Sequence, residues 1–547
     1  MALSRRSFLE SLAAGACLAT GGPAGAAPLA QRAGEKPAAR RPKVTVSKKT
    51  TYVTGPLRPD GTVDFAAALN EMLGRGVTPE NNAVVPLMRA FGPKEIEAPI
   101  RPRYFKALGM EELPEEGDYL VAFSDTLMER DPTDEERTEL YDQLDCTTRQ
   151  PWKAKQFPVL DDWIEVNQRP SMLLSQAARR TRCFWPVVRD EDTSLLSACL
   201  LKCLGTARNA VRLLTARAMR STGARDFERA WEDLMSVRRL ARLYSHGGFL
   251  LDLLIGRACE YLASQAIASL LHEADWPIER VRRTRAELDG LPPLAPLSDI
   301  WNRPERVFGI GYMLEVAAGE EKYLNGTSEH TMREQLTKRL LVDPRVDWDE
   351  TLELLNESFD QRVAILRMPH GPQREAAVAK RRAEIEEIVR GLGDLATLER
   401  RSGKTPDGRR LLSLYLCYGE FADGSLADDK LEHIALTRLE LNRLTPALAA
   451  FRAEKRQYPE KLAELVPSYL PAVPRDPFSG QAMKYRREGA GYVLYSVGVN
   501  RRDDGGRNTE LPEEAGKWDD EPDASKCPDD IVIRVPYGAK PPAAAVG

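Results

Sequence analysis

The stretch LEHIALTRLELNRLTPALAAF, residues 431–451, followed by Gln457-Tyr458-Pro459 and then by Asp476-Pro477-Phe478, decides the fold of the C-terminal part of this chain. Its apolar positions form a helical stripe, which predicts one long helix with a single face on a core. Pro446 lies inside it. A proline there removes an N–H and crowds the carbonyl of Asn442, so an interruption is expected. Beyond Tyr458-Pro459 the pattern gives a short second helix. Gly491-Tyr492-Val493-Leu494-Tyr495-Ser496 and Asp529-Asp530-Ile531 then open strands of a short antiparallel sheet. The module is α+β and occupies 427–537, with a tail at 538–547.

Upstream, residues 55–425 read as an irregular helical array of helical hairpins, so the chain as a whole is mainly α. Leu195, Leu196, Cys199, Leu200 and Cys203 make one stripe; Ala230, Leu234, Val237, Leu240 and Leu243 make another. Gly247-Gly248 and Gly290-Leu291-Pro292-Pro293 divide the hairpins. No 34-residue period emerges, which argues against a regular tetratricopeptide solenoid. Thr78 before Pro79 predicts a helix start, as does Asp131-Pro132-Thr133-Asp134-Glu135-Glu136, whose acids suit a helix N-terminus. A charged helix over 376–398 carries Ile385, Ile388, Val389, Leu392 and Leu395, a pattern compatible with a coiled coil. Turn clusters at Ser402-Gly403-Lys404-Thr405 and Ala422-Asp423-Gly424-Ser425 close the array, and the domain boundary is placed near the second.

The first residues read as an address. Ser4-Arg5-Arg6-Ser7-Phe8-Leu9, a mildly apolar run and Ala24-Gly25-Ala26 match a twin-arginine export signal over 1–26, cleaved after Ala26. Residues 27–54 are rich in Pro, Ala, Lys and Arg and are expected to form a solvated basic linker. The expected location is the periplasm or cell envelope. Residues 248–271 are broken by Asp252, Arg257 and Glu260, so they predict a buried amphipathic helix with no transmembrane span. A net charge of -4 over 547 residues gives no global field toward nucleic acid. The cysteines read as small buried apolar residues.

Within the C-terminal module, Ala449-Ala450-Phe451-Arg452 leading to Gln457-Tyr458-Pro459-Glu460-Lys461-Leu462 resembles the Y-P-x-x-L turn of type II secretion major pseudopilin heads. Tyr469-Leu470-Pro471, Pro474-Arg475-Asp476-Pro477-Phe478-Ser479-Gly480 and Lys484-Tyr485 resemble the next segment of that family. The strand around Tyr492, then Asp503-Asp504-Gly505-Gly506 and Asp529-Asp530-Ile531, resemble its final strands and acidic loop. The resemblance implies a pseudopilin-like head that binds calcium through Asp503, Asp504, Asp529 and Asp530, an ion that takes six to eight oxygens. No peptidase-cleaved glycine and apolar helix precede Leu431, so a borrowed head is expected, not a filament subunit. Gly76-Val77-Thr78-Pro79-Glu80-Asn81-Asn82, Ala230-Trp231-Glu232-Asp233-Leu234 and the C-terminal module together resemble a group of planctomycete-type envelope proteins, a likeness that implies no activity.

Catalytic motifs fail on context. Gly391-Leu392-Gly393-Asp394-Leu395-Ala396 has dinucleotide-loop spacing but ends a charged helix instead of following a strand. Gly403-Lys404-Thr405 lacks the earlier glycine of a phosphate loop, and Leu398 stands in its place. Asp161-Asp162 and Glu386-Glu387 are adjacent and diverge on a helix. No two of the five histidines are close in sequence. The expected function is that of a non-catalytic exported protein with envelope-protein partners and no catalytic residues. The alternatives are an exported hydrolase of cell-wall or polysaccharide material and a type II secretion-associated component.

Overall fold

The computed structural model describes residues 41–190, 193–199, 204–318, 345–393, 406–421, 427–509 and 527–538, with 397 and 401. The export signal, much of the basic linker, the turn clusters at 402–405 and 422–425 and the C-terminal tail beyond 538 lie outside them. The chain is mainly helical, with a three-stranded antiparallel sheet. In order the helices are α1 (Phe65–Leu73), α2 (Val84–Phe91), α3 (Arg101–Ala107), α4 (Phe123–Met128), α5 (Asp134–Thr147), α6 (Pro158–Val166), α7 (Gln168–Ala177) and α8 (Leu195–Cys199). Then come α9 (Leu204–Gly223), α10 (Phe227–Ser245), α11 (Leu250–Glu273), α12 (Ile278–Asp289), α13 (Leu297–Asn302) and α14 (Pro304–Ala317). The last helices are α15 (Trp348–Leu366), α16 (Pro372–Leu392), α17 (Pro406–Leu414) and α18 (Ala427–Lys455). The strands are β1 (Lys484–Glu488), β2 (Gly491–Ser496) and β3 (Ile531–Val535).

Helix α11 is the axis. The buried helix expected over 248–271 is present, and it is covered on nearly every side, from Leu253 to Leu271. Two of its acids are buried and hydrogen-bonded: Glu260 accepts from Arg238 and Arg242 of α10, and the Asp252 carboxylate accepts the Phe249 N–H at 3.0 Å. Among the described residues no helix is long and apolar enough to cross a membrane. The α10–α11 hairpin closes tightly because Gly256 faces Ala241; a Cβ there would sit 2.6 Å from the Ala241 carbonyl oxygen.

Two hydrophobic cores meet at α11. One gathers α2, α7, α9, α10, most of α11 and the C-terminal module, including Leu441, Leu444, Leu448, Leu494 and Ile533. The other gathers α1, α13, α14, α15, α17 and the start of α11 at Leu250 and Leu253. Helix α18 packs against α11 and α12 and shares a hydrophobic core with the helical array. It also runs through Pro446 without the expected interruption. Leu444, Ala447 and Leu448 around the proline are buried, and apolar burial at roughly 25 cal/mol per Å2 outweighs one lost backbone hydrogen bond.

Strand β2 is central and fully buried, with β1 and β3 antiparallel on either side; Tyr485 faces Leu494, and Leu494 faces Ile533. The edge of β3 is closed by a side chain. The Gln265 amide of α11 donates to the Arg534 carbonyl (2.7 Å) and accepts the Arg534 N–H (3.2 Å), standing where a fourth strand would pair.

Two local expectations change. No helix begins at Pro79: Asn81 Oδ1 accepts the Thr78 N–H at 2.8 Å and Asn82 bridges to Arg182, so α2 starts only at Val84. The second start holds, with Thr133 and Glu136 forming a reciprocal capping box on α5. The basic linker is also shorter than expected. Thr50 and Thr51 are buried, Asn356 donates to the Lys49 and Thr50 carbonyls, and Arg306 lies 4.4 Å over the Tyr52 ring. Composition alone could not reveal these docking contacts, because the partners lie about 300 residues away in sequence.

Candidate functional site

The C-terminal module is pinned by one carboxylate. Asp476, buried in the turn before β1, accepts from the Phe478 N–H (2.9 Å), Ser496 Oγ (2.8 Å), the Val497 N–H (3.1 Å) and Ser479 Oγ (3.1 Å). This ties the Asp476-Pro477-Phe478 turn to the end of β2. From there the chain enters the acidic loop.

Three of the four expected calcium ligands come together there. Asp504 Oδ2 accepts from the Asn500 amide (3.0 Å) and the Asp529 N–H (3.2 Å), and Asp504 Oδ1 from Arg502 Nε (2.7 Å). Asp530 accepts the Gly506 N–H (2.7 Å) and the Asp504 N–H (3.4 Å). Asp529 Oδ2 accepts the Asn500 N–H (2.9 Å), while its Oδ1 is buried without a hydrogen-bond partner among the described residues. Asp503 turns the other way, to the Tyr495 hydroxyl (2.9 Å), the Gly505 N–H (3.1 Å) and Lys484 Nζ (3.2 Å). Among the described residues no group of three or more His, Cys, Asp or Glu side chains is arranged to hold a metal ion.

The electrostatics follow from this packing. Burial pushes the Asp530 carboxyl up to about 7, and the charges of Asp504 and Asp503 add to it against the two N–H donors. Burial also raises Asp529. For Asp503 burial acts upward, but the Tyr495, Gly505 and Lys484 donors outweigh it and hold the carboxyl below its usual range. The loop is thus a set of acceptors that fold the backbone around themselves.

Beside it lies a small crevice between the helical array and the module, with room for about one water molecule. Its lining comprises Tyr261, Ser264 and Gln265 of α11, Arg438 and Leu441 of α18, Asn508 of the acidic loop, and Ile531, Val532 and Ile533 of β3. The Arg438 guanidinium stacks 4.0 Å over the Tyr261 ring, and Asn508 Nδ2 donates to the Asp530 carbonyl at 2.7 Å. Among the described residues the lining offers a cation, amides, two hydroxyls and an aromatic face, and no carboxylate. Comparison with protein-family models, with curated proteins and with solved structures finds no match.

A second polar node joins α16 and α18. His370 and His433, 63 residues apart in sequence, share a ring-nitrogen hydrogen bond of 2.9 Å. Glu432 accepts from Arg374 (2.5 Å) and contacts His370 (3.4 Å). Burial alone would raise the Glu432 carboxyl, but the His370 and Arg374 donors hold it at about 2. Histidines this far apart leave no local spacing to read.

The remaining motifs land as structure. Asp161 pairs with Arg220 and Asp162 with Arg130, so the adjacent acids diverge. Gly391 and Leu392 end α16 and Gly393 caps it, with no preceding strand. Cys183, Cys259 and Cys417 are buried, while Cys146, Cys199 and Cys527 are half-buried; Cys203 lies outside the described residues. Trp231 is buried, its indole N–H donating to Glu287.

Proposed function

We propose that this is a non-catalytic exported protein of the cell envelope, whose helical array and pseudopilin-like C-terminal module together present the crevice around Tyr261 and Arg438 to an envelope partner. The observation that carries this reading is the chemistry of the lining. A two-carboxylate glycoside hydrolase needs acids about 5–10 Å apart across its cleft. Among the described residues the polar lining groups are Arg438, Gln265, Asn508, Ser264 and Tyr261, which recognise carbonyls, amides and anions through hydrogen bonds and include no such pair of acids.

Site-specific photocrosslinking from position 438 in the natively exported protein tests it. The expected result is an adduct with an envelope component that is absent when the label is moved to the exposed, outward position 443. Equal labelling from both positions contradicts a role for the crevice. Pseudopilins or secretion-channel subunits as the adduct would favour the type II secretion-associated reading. Release of reducing ends from envelope polysaccharide by the purified chain would favour the hydrolase reading.

Calcium is a subsidiary proposal for the same module. Its support is the buried Asp529 oxygen, which has no hydrogen-bond partner among the described residues, beside Asp504 and Asp530. A ligand at 100 times its Kd adds about 2.7 kcal/mol to stability. Calcium should therefore raise the melting temperature of the full chain and EDTA should reverse it; identical melting in both removes the ion from the account.

A further inference from the structure

The start of α16 is fastened by polar ties. Over the whole helix only Arg374, Arg381 and Leu392 are buried. The Arg374 guanidinium donates to Glu432 of α18 (2.5 Å) and to the Leu366 carbonyl (3.1 Å). Glu375 pairs with Arg501 of the acidic loop at 2.6 Å, and His370 meets His433 of α18. Between His370 and the helix stands Gly371 at φ +144°, a backbone conformation that residues with a Cβ rarely adopt. The turn into α16 therefore lies next to the histidine contact.

That contact depends on protonation through its own geometry. Nδ1 of His370 and Nε2 of His433 are 2.9 Å apart, with ring centroids at 4.3 Å. One nitrogen must carry the hydrogen and the other must offer a lone pair. A first added proton fits this arrangement: on His370 Nε2 it faces the Glu432 carboxylate at 3.4 Å, while His370 Nδ1–H still donates to His433. A second, on His433 Nε2, points at the N–H of His370, and the bond becomes a repulsion. The groups around the pair come from four elements. Arg374 Nη1 of α16, itself a cation, lies 3.2 Å from His370 Nε2. On α18, Glu432 also accepts the Leu297 N–H of α13 at 3.3 Å, and Arg257 of α11 stands 3.9 Å from it. The module presents the Phe478 ring to His433, 5.6 Å between centroids, and Asp476 of that turn is taken up by its own four donors.

We propose that the His370–His433 contact is a pH-sensitive latch, which holds the start of α16 against α18 at neutral pH and releases it on acidification. Imidazoles as a class titrate between about pH 5 and 8. Glu432, held at about 2, stays ionised throughout that window, so the change belongs to the rings. The latch does not depend on the reading of the crevice.

Hydrogen–deuterium exchange of the full chain, read by mass spectrometry and corrected for the intrinsic pH dependence of exchange, tests it. Between about pH 8 and pH 5.5 the amides of residues 375–381 are expected to lose protection roughly tenfold, the scale of one lost hydrogen bond, while those of the buried α10 keep theirs. A glutamine amide donates to a neutral imidazole and accepts from an imidazolium, so it keeps the contact in both states. The half-buried His370→Gln and, independently, the buried His433→Gln should each abolish the acid-induced loss; His370→Gln decides alone where His433→Gln fails to fold. His246→Gln, at an exposed histidine 3.1 Å from the Pro293 carbonyl, should retain the loss. Equal protection of residues 375–381 at both pH values, an equal loss in α10, or a loss that persists in His370→Gln overturns the latch.

Discussion

Asp476 shows how much can rest on one side chain. Its two oxygens receive four donors in a buried turn. Asp476→Asn replaces one oxygen by an NH2 group that confronts donors instead of accepting from them. Leaving buried N–H or O–H groups unpaired costs about 1–3 kcal/mol each, so a loss of about 2–4 kcal/mol is expected in urea unfolding. His272 gives a pH signature. Burial, reinforced by the Arg452 charge, lowers it to about 4 from a usual 6.5, and its ring stacks on Tyr458. The unfolded chain then binds the proton more readily, so the stability contributed by neutral His272 is full above about pH 6.5 and is lost as pH falls toward 4. His272→Gln should flatten that part of the melting-temperature profile; an unchanged slope would place the titration elsewhere. At this scale the sequence was legible only where partners were local. Thr133 and Glu136, three apart, could be read as a cap, whereas His370 with His433 and Gln265 with Arg534 are joined only by the fold.

The hairpin of α10 and α11 sets the spacing of everything packed on it. Gly256 allows that approach, and a methyl group there would meet backbone atoms of Ala241 and Ser245 at 2.6 and 3.0 Å. Gly256→Ala is expected to cost about 1–3 kcal/mol in chemical denaturation, as overpacking does, despite alanine's better helix propensity. A stabilised variant would mean that the two helices are less constrained than the geometry indicates. The α10 stripe of Ala230, Leu234, Val237, Leu240 and Leu243 was legible from spacing, and all five are buried; that the opposite face, with Asp233, Arg238 and Arg242, is buried as well was not. Helix α11 was legible as a buried helix, but the partners of its buried acids Asp252 and Glu260, which are Arg238, Arg242 and the Phe249 N–H, were not, because only the fold places them there. The continuity of α18 through Pro446 was also hidden, since tertiary packing and not local propensity maintains it.

At the scale of the whole molecule, the helical array and the C-terminal module are joined through α11. Leu441, Leu444, Leu448 and Ile533 belong to the same hydrophobic cluster as Ala263, Ile267 and Leu270 of that helix, and Gln265 completes the β3 edge. The mainly helical class and the small antiparallel sheet were readable from periodicity. Their union was not, because it depends on which apolar face meets which. The crevice at Tyr261 and Arg438 exists only while the union holds, so the proposed binding role depends on it. The most direct test is calorimetry of the full chain beside an isolated fragment of residues 427–538. The account predicts no cooperative melting transition for the fragment, whose α18 and β3 faces would be stripped of α11. A fragment that melts cooperatively, at a temperature matching a transition of the full chain, would show the module to be an independent head and would contradict the shared core.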